Sequence, residues 1–149
     1  NIVIENKLSQ YFLAQNVTGT TDKHRLHFCL TDKNAKYLCG HSVNKFKLKD
    51  DECNILFLGV LNSKAADWIF RKTSTNNHVN GYEIDEIPVP SFFGKDDICI
   101  KIQNYVERII LKKKTDSKAD VLDLEKKVDE LVMDLYNLTP EEKQIIQNS

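Results

Sequence analysis

The stretch that decides the fold runs from residue 55 to residue 90, ILFLGVLNSKAADWIFRKTSTNNHVNGYEIDEIPVP. Phe57, Leu58, Leu61, Ala65, Trp68 and Ile69 recur at steps of three and four, which predicts a helix with an apolar stripe. Ile55, Leu56 and Val60 widen that stripe, so the helix is expected to be buried on most sides. Asp50, Asp51 and Glu52 precede it and Arg71 and Lys72 close it, charges that suit the two ends of the helix dipole over about four turns. The run Thr73 to Gly81 is polar. Tyr82 to Ile87 then reads as a strand stopped by Pro88-Val89-Pro90, because proline donates nothing to a ladder and biases its predecessor towards extended backbone.

Upstream of this stretch, His24 to Leu30, Lys36 to Leu38 and Ser42 to Leu48 alternate partially and read as short strands. Residues 1–49 carry eight basic and three acidic side chains, an excess of +5 in a chain of net charge −1, so positive charge is segregated into this half. Downstream, Ile98, Ile102, Tyr105, Val106 and Ile109 form one helical stripe, closed by Lys112 to Lys114. Val121, Leu124, Val128, Leu131, Val132 and Leu135 form a second, a seam of about two heptads. Thr139-Pro140-Glu141-Glu142 is a capping box that starts a short last helix. The expected class is therefore α+β. A small β-rich region with a buried helix covers residues 1–92, and a C-terminal helical hairpin with a short capped helix covers 93–149.

The 149 residues are 41% hydrophobic and 29% charged, enough to bury a core and unlike a disordered tail or a simple charged arm. The longest apolar run, Ile55 to Leu61, is less than half the ~20 residues a membrane helix needs. The beginning, NIVIENKLSQ, shows no secretory leader and no initiating Met, which predicts a piece of a longer cytoplasmic protein. Four cysteines at 29, 39, 53 and 99 without a C-x-x-C pair read as reduced thiols. His27 with Cys29, and Cys39 with His41, could offer four zinc ligands if two strands lay side by side. The spacing matches no compact zinc pattern, and two strands with ordinary side chains is the preferred reading, with no metal site.

Catalytic signatures are missing. The chain holds no G-x-G-x-x-G, phosphate loop, G-x-S-x-G or H-E-x-x-H, nor the Asn/Asp-Pro-Pro-aromatic motif that grips a flipped base. Asp85-Glu86 would point to opposite faces of a strand and could not easily share one ion. No catalytic residue is assigned. What remains suits nucleic acid. Arg71 and Lys72 can neutralise phosphates, and Ser74, Thr75, Asn76, Asn77, His78 and Asn80 offer hydrogen-bonding groups for backbone or base edges. The same run also fits a structural turn, since Asn and Ser readily bond their own backbone.

Several of these segments resemble, in order, the TaqI-like C-terminal specificity domain of restriction-modification enzymes. Leu58-Gly59-Val60-Leu61-Asn62-Ser63-Lys64, followed by Trp68 and Phe70 and then by Ile87-Pro88-Val89-Pro90, is similar to that family's "lLgLLNSk" helix and closing "L-P-I-P". Gln15-Asn16-Val17-Thr18-Gly19 with Arg25-Leu26 is similar to its "Q-x-I-x-G…R-L", and Gly40-His41-Ser42-Val43-Asn44 to its "G-H-S-x-N". Val128 to Glu142 is similar to the ending "I-D-x-L-V-Y-x-L-Y-G-L-T-x-E-E", with Met133 in place of Tyr and Asn137 in place of Gly. Asn tolerates the left-handed backbone that Gly supplies.

The resemblance implies a target-recognition region over residues 1–92. It would read double-stranded DNA while a methyltransferase core of the same polypeptide, often fused to an endonuclease, flips an adenine for N6 methylation. S-adenosylmethionine, and magnesium where a nuclease is attached, would belong to that core, with no cofactor held by this chain. On this reading Lys23, Arg25, Lys45, Lys47 and Lys49 track phosphates, Arg71 and Lys72 extend that surface, and the run from Ser74 to Asn80 lies at the groove. Asn77 and His78 are expected to brace the loop through buried hydrogen bonds. Asn62 and Ser63 are expected mid-helix, packed against a neighbouring strand. The competing expectation is a helical interaction module, in which the Val121–Leu135 seam forms a homodimer.

Overall fold

Phe12 and Ala14 bury their side chains and Leu13 and Gln15 turn outwards, the alternation of a strand with one covered face. This strand, β1 (Phe12–Gln15), is the centre of a three-stranded antiparallel sheet between β2 (Phe28–Leu30) and β3 (Val43–Phe46). The computed structural model describes residues 10–33, 36, 38–49, 51–90 and 96–149. β1 pairs Phe12 with Leu30 on one side and with Phe46 on the other. Phe12 stacks on Phe46 at 5.1 Å between ring centroids and meets Phe57 edge-on at 5.8 Å. The covered sheet face and the first helix are thereby joined through aromatic contacts.

The helices are α1 (Asn54–Leu61), α2 (Lys64–Thr73), α3 (Gly81–Asp85), α4 (Asp97–Thr115), α5 (Leu122–Leu135) and α6 (Pro140–Gln147), with a 3-10 turn at Asp51–Cys53 before α1. The architecture is a small α+β fold with C-terminal helices. One hydrophobic cluster runs from Phe12 of the sheet to Ile146 of α6. The boundary expected at 92/93 lies outside the described residues.

Four sequence expectations change. The long helix is two helices. Asn62 and Ser63 interrupt it, with Ser63 in extended backbone accepting from the Ala66 amide at 3.2 Å and donating to the Val60 carbonyl at 2.7 Å. An uninterrupted apolar stripe conceals this break, because Ser63 caps the second helix as the stripe carries on through it. Tyr82–Ile87 is not a strand. Residues 81–85 form α3, whose start is fixed by the Glu83 carboxylate accepting from both the backbone and the side chain of Asn80 at 2.9 Å.

Of His24 to Leu30, only Phe28–Leu30 joins the sheet. The amides of Arg25 and Leu26 instead bond the Asp67 carboxylate, at 2.7 and 2.8 Å. Lys36 and Leu38 are not in a strand, and Tyr37 lies outside the described residues.

The C-terminal helices follow the expected pattern. α4 packs along α5 and α1, and the Val121–Leu135 seam is mostly buried inside the chain. Asn137 takes φ +53°, Leu138 N–H bonds the Met133 carbonyl and Asn137 N–H bonds the Asp134 carbonyl. This left-handed stop is the geometry that glycine would otherwise supply. Thr139 and Glu142 form the capping box of α6.

Gly59 marks a close approach of α1 to α4. A Cβ there would lie 2.7 Å from Val106 Cγ2 and 3.0 Å from Ile102 Cγ2, both on stiff β-branched side chains. Helix propensity favours alanine by about 1 kcal/mol, and overpacking opposes it by about 1–3 kcal/mol. Gly59→Ala is therefore expected to lower the urea midpoint, and an unchanged or raised midpoint would show that α4 can retreat freely.

Candidate nucleic-acid interface

The 74–80 loop is built on an arginine. Arg25 is only 3% exposed and lies over the Phe70 ring, 4.9 Å from its centroid. Its guanidinium donates to Thr18 Oγ1 at 3.2 Å, Ser74 Oγ at 3.1 Å and the Asn76 carbonyl at 2.7 Å, with a longer contact to the His78 carbonyl at 3.5 Å. A planar fork of five donors suits this divergent set of acceptors. The expectation that Arg25 tracks phosphates is thus replaced. The side chain faces inwards and shapes the loop.

The loop also extends the sheet. Thr18 N–H bonds the Asn77 carbonyl at 2.9 Å, Val79 N–H bonds the Asn16 carbonyl at 2.7 Å, and Val17 lies opposite His78 in an antiparallel bridge. On the other flank, Asn16 donates from its backbone to the Ser42 carbonyl at 2.9 Å and from its side chain to the His41 carbonyl at 3.1 Å. Asn44 Nδ2 closes the junction by donating to the Val79 carbonyl. Three segments far apart in sequence, 16–18, 41–44 and 76–79, therefore lock together at one end of the sheet.

The predicted side chains divide into two groups. Asn80 caps α3, Ser74 accepts from Arg25, and Asn76 Oδ1 accepts from the His78 amide at 2.8 Å, so these three shape the loop. Asn77 and His78 do brace it, but through backbone groups. Their side chains are exposed and not buried, because the bridge to residues 17 and 18 uses only amides and carbonyls. Thr75 is exposed as well.

Arg71 is half-buried. It pairs with Asp67 at 2.6 Å and donates to the Asp22 carbonyl, so it too is committed internally. Lys72 is exposed over the Trp68 ring at 4.6 Å, and Lys45 over the Tyr11 ring at 4.0 Å. Lys23, Lys47 and Lys49 are exposed on the same half of the chain.

Asp67 is the residue that sequence reading missed. It is 4% exposed and holds Arg25 N–H, Leu26 N–H and Arg71 Nε. A lone acid inside the apolar run A-A-D-W, four residues before an arginine, is the signal that was available. Asn62 meets a strand, as expected, although it does so from a helix break. Its amide accepts from Phe28 N–H at 2.9 Å and donates to the Phe28 carbonyl at 3.0 Å.

His24 sits 3.8 Å from the same carboxylate. Burial lowers its pKa from the ordinary 6.5 and outweighs the opposite pull of Asp67. A histidine depressed in the fold binds its proton more readily when unfolded, so its contribution is present above pH 6.5 and is lost as pH falls towards the lowered value. The melting temperature is expected to drop on acidification below 6.5, and His24→Asn to flatten that slope. An identical slope in the variant would assign the effect to other groups.

The His27–Cys29 and Cys39–His41 pairs are not two adjacent strands, since His27 precedes β2 and residues 39–41 lie outside β3. No group of three or more His, Cys, Asp or Glu among the described residues is placed to hold a metal. Burial, and then nearby Cys39, push the Cys29 thiol up, away from a reactive thiolate. A cavity of about 810 Å³ lies between His24, residues 27–32, α1, α4 and α5, and none of the predicted site residues lines it. Compared with protein-family models, with curated proteins and with solved structures, the chain has no match.

Proposed function

We propose that this chain is the sequence-reading domain of a restriction-modification adenine methyltransferase, binding double-stranded DNA for a catalytic core carried elsewhere in the same cytoplasmic polypeptide. One observation carries this reading. The segments similar to the specificity-domain motifs, Gln15–Gly19 with Arg25 and Gly40–Asn44, are the ones that meet and clamp the 74–80 loop. A loop whose backbone is fixed before binding can present side chains to base edges without a large ordering cost.

On this reading the chain forms and breaks no bond. Exposed Lys23, Lys45, Lys47, Lys49 and Lys72 hold the duplex by its phosphates, and the loop supplies the discrimination. S-adenosylmethionine and any magnesium act in the core. No helix among the described residues is long and apolar enough to cross a membrane, in keeping with a DNA partner.

The test is an exchange. Residues 1–149 replace the corresponding segment of an adenine methyltransferase that carries the same ordered motifs, and the methylated sites of the host DNA are mapped. The expected result is methylation of a new sequence at undiminished S-adenosylmethionine use. An active chimera that still modifies the original site overturns the proposal. A homodimer through the Val121–Leu135 seam would require the α4–α5 hairpin to open, since that seam is mostly covered within the chain.

A further inference from the structure

The sheet has a second face. Phe12 and Ala14 of β1 point to the core, so Leu13 and Gln15 point away, and the alternation continues outwards to Val17. Lys45 lies opposite Leu13 and Val43 opposite Gln15, which places both on that outer face. His78 lies opposite Val17 and shares it. His41 is exposed at the end of the row, with its carbonyl held by Asn16. The result is an outward strip of Leu13, Gln15, Val17, Val43, Lys45 and His78, in which Val17 is 41% exposed, with His41 exposed on the neighbouring turn.

We infer that this outer strip, centred on the ribbon of 15–17 and 77–79, enters the major groove of duplex DNA, and that Gln15 and Val17 read bases there. The inference rests on the reading of the chain as a DNA-recognition domain, and it adds residues that the polar loop alone would not suggest. Charge favours this occupant. The three segments that build the strip, residues 10–21, 38–49 and 71–82, contain no Asp or Glu, whereas Lys45, Lys47, Lys49 and Lys72 are exposed on them. Asp22, beside Gly19, and Asp85, beside Lys45, border the strip, but the segments that form it carry only positive charge, which favours a polyanion.

Dimensions favour it too. A two-stranded ribbon is about 5 Å between backbones, and the major groove, about 12 Å wide, admits one with its side chains. The turn at residues 40–42 then flanks the groove wall, and Lys45 lies about 7 Å along β3 from Val43, towards the phosphates beyond.

The chemistry of the two central side chains is specific. Gln15 Nε2 donates to the Val17 carbonyl at 2.7 Å, which orients the amide along the ribbon. Its oxygen and second N–H remain for the N6 and N7 edge of adenine, the pairing that glutamine makes bidentately. Val17 presents an apolar surface of the kind that meets the thymine methyl. His78, opposite Val17, adds an exposed imidazole to the strip.

The test uses the 149-residue chain and a pool of duplexes with a randomised centre, selected at low salt and sequenced. Gln15→Ala, Val17→Ala and His78→Ala change exposed side chains, and far-UV circular dichroism checks that each variant keeps its fold. Gln15→Ala is expected to relax preference at one base pair and to weaken the preferred duplex by about 5- to 150-fold, and Val17→Ala to relax a second with a smaller loss, with non-specific binding unchanged. Lys45→Ala is expected to weaken all duplexes alike and to lower the salt slope by about one. A sequence preference that survives all three strip variants but disappears in Asn77→Ala or Thr75→Ala overturns the strip and leaves DNA recognition standing. A pool with no enrichment and no salt-dependent binding overturns the underlying reading as well.

Discussion

Arg25→Ala is expected to destabilise the chain by about 3–5 kcal/mol, among the largest losses available to a single substitution here. The truncation removes donors to Thr18, Ser74 and Asn76, leaves the buried Thr18 hydroxyl without the guanidinium, and leaves the Asn76 carbonyl only a 3.5 Å contact from Ser74. It also removes the planar group that covers the Phe70 ring. Arg25→Lys should recover little, because a single ammonium cannot reach acceptors that diverge around a fork.

The measurement is chemical denaturation combined with hydrogen exchange at the amides of Thr18 and Val79, which pair the loop to the sheet. Loss of protection at these two amides, with the α4–α5 amides unaffected, is the expected pattern. A cost below ~1 kcal/mol with full protection would mean that the loop holds its shape unaided. If the chain reads DNA as proposed, the same variant loses sequence preference while its salt slope stays constant, because Arg25 touches no phosphate. That split separates a positioning residue from a contact.

The amino-acid sequence is most legible where one force acts along one element. The α4 and α5 stripes, the Thr139–Glu142 box and the left-handed stop at Asn137 each follow from spacing or capping within a few residues. It is least legible where a distant group competes for the backbone. His24 to Leu26 carry a strand-like pattern, but the Asp67 carboxylate, some forty residues away, takes the amides that a ladder would use. Tyr82 to Ile87 alternates like a strand, but the Asn80–Glu83 cap outweighs the alternation.

β1 escaped notice for a related reason: Tyr11-Phe12-Leu13-Ala14 is nearly continuous in apolar residues, so a central strand shows no period. The candidate site was partly visible. Residue type singled out the 74–80 loop, which the fold clamps to the sheet, yet charge alone assigned Arg25 and Arg71 outwards. Both are drawn inwards by acceptors that only the folded chain assembles, backbone carbonyls of distant loops for each and the Asp67 carboxylate for Arg71.

Asp67→Ala should cost a similar amount, about 3–5 kcal/mol, by a different route. The carboxylate has three hydrogen-bond partners, two buried amides, Arg25 and Leu26, at 2.7 and 2.8 Å, and the Arg71 guanidinium at 2.6 Å, with His24 further off at 3.8 Å. Alanine strands all three, and a buried amide without an acceptor costs about 1–3 kcal/mol. Asp67→Asn tests which partner dominates. The amide oxygen can still accept from Arg25 and Leu26, while the charge that holds Arg71 is gone, so the expected loss is only about 1–2 kcal/mol. Arg71→Ala removes the ion pair and the bond to the Asp22 carbonyl but leaves the amide clamp intact, and should match the asparagine variant more nearly than the alanine one.

If Asp67→Asn instead equals Asp67→Ala, the ion pair and not the amide clamp holds residues 24–26 in place. Coupling supplies the last discrimination. Asp67 fixes the backbone of Arg25, and the Arg25 side chain fixes the 74–80 loop, so the two act in series. Arg25→Ala with Asp67→Ala should cost clearly less than the sum of the single changes. Strict additivity would mean that the loop and the 24–26 segment are anchored independently, and that the path from α2 through Arg25 to the exposed side chains does not exist.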